Sequence, residues 1–247
     1  MRYSSHLSLS QAIVLAILLP LCWLADLWGV SLYARSMPHE FCCLIILWKD
    51  EVVHVQGFWL ELLRLAIFLA PVLLLCLASP RWRTEFGLTL GQRRATFLWT
   101  VAATLFSVVV VLIGLLLPIP LDSHMGFTVT DLVLGWQPTL LYTALSEKLW
   151  RGSVMAPLIE ELGYRAMIVP VMVRLGGRYL ALVGSGVIWA MLHWFYQAPL
   201  VLLPFYFVSG VFVTWVFLAT RSVLPGLVIH SAFNATFEIV MHTRFVA

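Results

Sequence analysis

The stretch ATFLWTVAATLFSVVVVLIGLLL, residues 95–117, carries no charged side chain. At twenty-three residues it exceeds the roughly 20 that an α-helix needs to cross a bilayer. A run of this kind inside a soluble domain would have no partner surface large enough to bury it. It identifies a membrane helix, and the rest of the chain agrees. Of 247 residues, 62% are hydrophobic and only 11% charged, with a mean hydropathy of +0.96. A soluble domain is about 25% charged, so a water-coated surface is excluded. Disorder is excluded too, since it requires low hydrophobicity and high charge.

Working outward, apolar stretches occupy 9–30, 58–78, 95–117, 128–145, 154–173, 179–196, 200–219 and 223–242. The expected fold is an all-α polytopic bundle of seven to eight transmembrane helices, a single integral-membrane domain over 1–247. The stretch at 128–145 is the weakest, because Asp131, Gln137 and Pro138 interrupt it. The run at 41–48 is too short to span and is expected in a loop or at the interface. The first stretch has a long apolar run and no small-residue cleavage site, and reads as a retained span. Cys22, Cys42, Cys43 and Cys76 show no CxxC spacing and read as small apolar fillers. The Trp residues near span ends, such as Trp23, Trp48, Trp82 and Trp150, form an interfacial belt.

Arg81, Arg83, Arg93 and Arg94 crowd the loop after the second stretch against one acid. Short Arg-rich loops stay cytoplasmic, which places the N-terminus inside and the 31–57 loop outside. The expected location is the cell membrane. Eight spans would return the C-terminus to the inside. If 128–145 does not cross, everything after it inverts, and Arg174 and Arg178 favour that version. The net charge of +3 comes with no basic run, so nucleic acid is not an expected partner.

Ionisable groups inside hydrocarbon are costly, about 2.5–3.5 kcal/mol at a helix centre, and mark interior cavities. The first half has Asp26, Glu61 and Arg64, all near span ends. The second half has a cluster: Glu160, Glu161 and Arg165, then His193, then His230 and Asn234. Glu161 and Arg165 are four apart and can pair along one helix face. Glu160 lies about 100° around the helix and points elsewhere, sharing a face with Tyr164. His230 and Asn234 are also four apart. Pro157 suits a first helical turn. Converged, these groups suit peptide hydrolysis: Glu160 activates water with His193, while His230 and Asn234 donate to the oxyanion. The bland alternatives are interhelical hydrogen bonds and a structural Glu161–Arg165 pair.

Glu160-Glu161-x-x-x-Arg165, then Trp189-x-x-x-His193, then His230-x-x-x-Asn234 resembles the CPBP (Abi) intramembrane proteases, relatives of the endopeptidase that trims prenylated CAAX proteins. The resemblance covers roughly 150–240, the expected catalytic core being 150–242 and the spans of 1–149 variable. Ala166 stands where the family has Gly, and Trp189 where Phe is commoner. The resemblance implies a glutamic-type mechanism: Glu160, His193, His230 and Asn234 catalytic, and Glu161, Arg165, Tyr164 and Trp189 supporting. It implies no cofactor. A zinc version would use Glu160, His193 and His230, since zinc accepts His and carboxylate, but the HExxH signature is absent. The implied partner is a membrane-associated protein or peptide, lipidated or not, cut near its C-terminus. A non-catalytic immunity or scaffold protein of the same fold is the alternative. A proton-coupled transporter is a further one, although it should show paired halves with matching broken helices and the polar cluster here lies in one half only.

Overall fold

The computed structural model describes residues 6–36, 43–48, 51–56, 58–114, 149–195 and 200–244. The long apolar stretches become helices: α1 (Leu9–Ser36), α2 (Phe58–Ala78) and α4 (Arg93–Gly114), with a short α3 (Arg81–Glu85) between the last two. Pro20 in α1 and Pro71 in α2 sit inside their helices, as neighbouring membrane helices allow. The described part of the apolar run at 41–48 is a strand, not a membrane helix. Cys43–Trp48 forms strand β1, antiparallel to β2 (Glu51–Gln56), with Cys43 opposite Gln56. Alternating residues in Glu51–Gln56 suit a strand, and the β-branched Val52, Val53 and Val55 favour one. The candidate span at 128–145 lies outside the described residues.

A helical run from Leu149 to Phe195 follows. Gly176 and Gly177 break it, the latter at φ +72°, ψ −169°, a conformation open essentially to glycine. The halves are α5 (149–175) and α6 (178–195). Within α5, Leu149–Met155 and Ile159–Arg165 are π-helical. The Ala166 N–H reaches back five residues to the Glu161 carbonyl. The expected α-geometry of the glutamate segment is thus replaced by the wider turn, which recurs at functional sites. A 3₁₀ turn (Leu200–Leu202) leads into α7 (Leu203–Thr220), and α8 is Leu224–Arg244.

Among the described residues, four windows are long and apolar enough to cross a membrane: Leu9–Asp26, Glu61–Ala78, Leu149–Trp194 and Leu200–Thr220. The protein is an integral membrane helix bundle. Its outer surface is apolar, with Ile17, Leu24, Leu74, Leu77, Phe97 and Leu105 all exposed, as lipid contact requires. The inner core packs Leu15 and Leu19 of α1 and Phe68 and Val72 of α2 against Tyr164, Met167 and Val171 of α5 and Trp189 of α6. Cys22 and Cys76 are free thiols in this core.

Four chain segments meet at one end of the bundle. Arg174 Nε at the foot of α5 donates to the Leu7 carbonyl just before α1 (2.8 Å). His6 N–H donates to Glu85 Oε1 in α3 (3.1 Å). Gln92 N–H reaches the Thr220 carbonyl and Val223 N–H the Gly87 carbonyl, joining the α3–α4 loop to the α7–α8 turn. Opposite this end, Arg151 of α5 pairs with Glu61 near the start of α2 (3.3 Å).

Candidate active site

The π-turns carry Glu160, Glu161, Tyr164 and Arg165 on a helix packed between α1, α2, α6 and α8. Glu161 and Arg165 are fully inside, with 0% and 1% exposure. Arg165 Nε donates to Glu161 Oε2 at 2.5 Å and Nη2 to Oε1 at 3.1 Å. This two-pronged bond is the geometry a guanidinium offers a carboxylate. Arg165 Nη1 continues to Thr214 Oγ1 (2.8 Å), the Gly210 carbonyl (3.3 Å) and Ser185 Oγ (3.4 Å). One arginine thereby ties α5 to α6 and α7. The Trp189 ring lies 5.0 Å from its Cζ.

Glycines let the helices come this close. A Cβ on Gly210 would fall 2.7 Å from Trp189 Cβ, and one on Gly186 2.6 Å from Val211 Cγ2. These are the small-residue contacts by which membrane helices associate.

His230 comes in from α8. Its Nδ1 is 3.3 Å from Glu161 Oε1 and its Nε2 3.8 Å from Glu160 Oε2. The imidazole bridges the two carboxylates. Glu160 is placed as the sequence suggests: no arginine touches it among the described residues, and its side chain is 28% exposed. Its Oε2 is buried and meets no hydrogen-bond donor among the described residues. His193 Nδ1 is 2.9 Å from the Trp189 carbonyl, so its Nε2 faces away from its own helix backbone. Its ring stacks on Tyr206 of α7 with centroids 3.8 Å apart. Trp189 touches both imidazoles, at 4.8 Å from His193 and 5.4 Å from His230. Tyr164 packs on Trp189 (5.8 Å) and donates to the Ser185 carbonyl (3.0 Å).

A cavity of about 190 Å³ lies beside these groups. Glu160, Tyr164 and His193 form one wall, and Trp23, Asp26, Arg64 and Phe68 of α1 and α2 another. Arg64 Nε donates to Asp26 Oδ1 (2.9 Å), Arg64 Nη1 to Glu61 Oε2 (3.3 Å), and Arg151 Nε to Glu61 Oε1 (3.3 Å). His230 and Asn234 are not among the described wall residues. Asn234 lies one turn beyond His230 on α8. Its Nδ2 donates to the Gly152 carbonyl of α5 at 2.6 Å, leaving one of its two amide hydrogens for other work. Sequence reasoning missed Tyr206, Gly152 and the inward-facing roles of Asp26 and Arg64. The only signal for the last two was their ionisable character near span ends.

Among the described residues, no group of three His, Cys, Asp or Glu side chains is arranged to hold an ion.

Three motifs spaced as the sequence predicts thus converge on one buried polar cluster. Residues 142–236 match the family model described as Type II CAAX prenyl endopeptidase Rce1-like. This Rce1-like match runs from before α5 into α8 and takes in every motif residue, consistent with the CPBP resemblance. The Rce1-like endopeptidases are a protease family whose substrates are membrane-associated prenylated proteins. No curated protein and no solved structure matches the chain.

Proposed function

We propose that this protein is an intramembrane endopeptidase of the glutamic type, which hydrolyses a peptide bond of a membrane-associated substrate near its C-terminus. The observation that carries the reading is the joint position of Glu160 and His193 on one wall of a cavity inside the bundle. Glu160 takes a proton from water, and the water oxygen attacks the scissile carbonyl carbon. His193, oriented through its Nδ1 contact, helps to hold that water. His230 and the remaining Asn234 hydrogen stabilise the oxyanion. Collapse of the tetrahedral intermediate breaks the C–N bond, and Glu160 returns the proton to the leaving amine. Glu161 and Arg165 hold His230 and the helix crossing in place, with Trp189 and Tyr164 as the packed support.

The cluster sits on residues 150–242, a catalytic core to which α1 and α2 add the opposite cavity wall. Seven described helices, α1, α2, α4, α5, α6, α7 and α8, make one crossing each in this reading. A CAAX-type tail and a bacterial sorting or anchor peptide are the substrate classes that fit.

Glu160→Gln tests the reading, since it removes the base and keeps the shape. Membranes from cells expressing wild-type or variant protein are compared by mass spectrometry of C-terminal fragments. Fragments present with wild type and absent with the variant support it, at equal protein level. Identical fragment sets would reject catalysis and leave a scaffold.

A further inference from the structure

Three of the four segments gathered at one end of the bundle carry arginines. Arg81 and Arg83 lie in α3, Arg93 and Arg94 open α4, Arg174 and Arg178 flank the Gly176–Gly177 break, and Arg221 caps α7. Seven of the chain's thirteen arginines are there, against one acid, Glu85. Glu85 is buried and accepts the His6 N–H, so the exposed rim is cationic. The hydrogen bonds from Arg174 to Leu7, Gln92 to Thr220 and Val223 to Gly87 show that these loops share one side.

The cavity lies toward the other side, and three helices agree on how far. His193 is sixteen residues past Gly177, about 24 Å at 1.5 Å per residue. Asp26 is seventeen residues past Leu9, about 26 Å by the same rise. Arg64 is fourteen residues before Ala78, about 21 Å. A hydrocarbon core is about 30 Å thick. The cavity is therefore within the half of the bilayer remote from the arginine rim. The basic residues beside it, Arg64 and Arg151, pair with Asp26 and Glu61.

Basic short loops are retained in the cytoplasm. From these two placements we infer that the catalytic cavity opens toward the extracytoplasmic leaflet. It takes a peptide segment that has already been translocated, or whose tail ends in that leaflet, rather than a lipidated tail presented from the cytosol. The substrate half of this inference rests on the endopeptidase reading; the sidedness does not. The geometry then asks for a preceding reaction that carries the substrate segment across the membrane.

The test uses the full chain in bacterial cells. Fusions to the C-terminus, beyond α8, carry either alkaline phosphatase, active only outside, or green fluorescent protein, fluorescent only inside. Arg178→Cys, in a chain with Cys22→Ala, Cys42→Ser, Cys43→Ser and Cys76→Ala, is probed with a membrane-impermeant maleimide. The inference expects an active phosphatase fusion, a dark fluorescent fusion, and labelling at position 178 only after permeabilisation. A fluorescent C-terminal fusion or labelling of intact cells would overturn it. The fusion readout stands even if the cysteine-substituted chain fails to fold, because the fusions retain every native residue. The fragments lost with Glu160→Gln are then located: in the medium or periplasm for the inferred substrate, in the cytosol against it. If wild type and Glu160→Gln give the same fragments, the protease reading fails while the labelling still decides the orientation.

Discussion

Gly226 of α8 stands against Glu161 of α5 so closely that a Cβ would lie 2.7 Å from Glu161 Oε2 and 2.9 Å from Val213 Cγ1. The glycine lets α8 approach the one carboxylate that is locked by Arg165, and so delivers His230 one turn later. A methyl group there must push α8 outward or displace the carboxylate. Gly226→Ala is expected to lose about 1–3 kcal/mol of stability, the cost of overpacking. It should also lower cleavage at least tenfold, because His230 moves with its helix. Thermal unfolding in detergent and a cleavage assay measure the two.

The Glu161–Arg165 pair is buried on both sides. Removing one side of such a pair costs about 3–5 kcal/mol. Arg165→Met and Glu161→Gln should each destabilise the bundle by this order. The double variant should be less destabilised than the sum, as groups in one network couple. A double-mutant cycle in which the two effects simply add would show that the pair is not the unit we describe.

Tyr206 holds the His193 ring by stacking. Tyr206→Phe preserves the stacking ring and should leave kcat within about threefold, whereas Tyr206→Ala frees the imidazole. The Ala variant should lower kcat at least tenfold with little change in KM, the pattern of an interaction that matters in the transition state. Equal losses in the two variants would point to the hydroxyl instead.

Asn234→Ala removes both the Gly152 contact and the proposed oxyanion donor. Loss of one such donor costs about 10²–10³ in kcat, and that is the expected range from initial rates. A variant with unchanged kcat would take Asn234 out of the chemistry and leave it as a tie between α8 and α5.

The metal-free reading predicts that extended incubation with a strong zinc chelator, followed by its removal, leaves cleavage unchanged. Loss of activity that zinc restores would replace Glu160 as base by Glu160 as ligand.

Several features were legible in the chain because they depend on local composition. A charge-free run at 95–117 needs lipid, wherever it sits. Glu161 and Arg165 pair because four residues bring two side chains to one helix face, and the π-turn keeps them together. The break between 154–173 and 179–196 was visible as a gap between apolar stretches holding Arg174 and Arg178, while its glycine geometry was not. The β1–β2 hairpin was less so, since eight apolar residues fix only that the segment cannot span. The π-helical winding at Ile159–Arg165 has no local signature, because it arises from how α5 is held by α2, α6 and α8.

The sequence by itself determined that this is a membrane helix bundle with acid, imidazole and amide groups on three of its helices. That follows from transfer energetics, which each residue carries with it. Only the tertiary structure decided which groups meet. It set His230 between Glu160 and Glu161, gave Asn234 to Gly152, laid Tyr206 on His193, and brought Asp26 and Arg64 to the far wall of the cavity. Those choices depend on where helices distant in the chain cross, and the crossings are set by glycine gaps and a single buried arginine, whose partners no spacing along the chain can reveal.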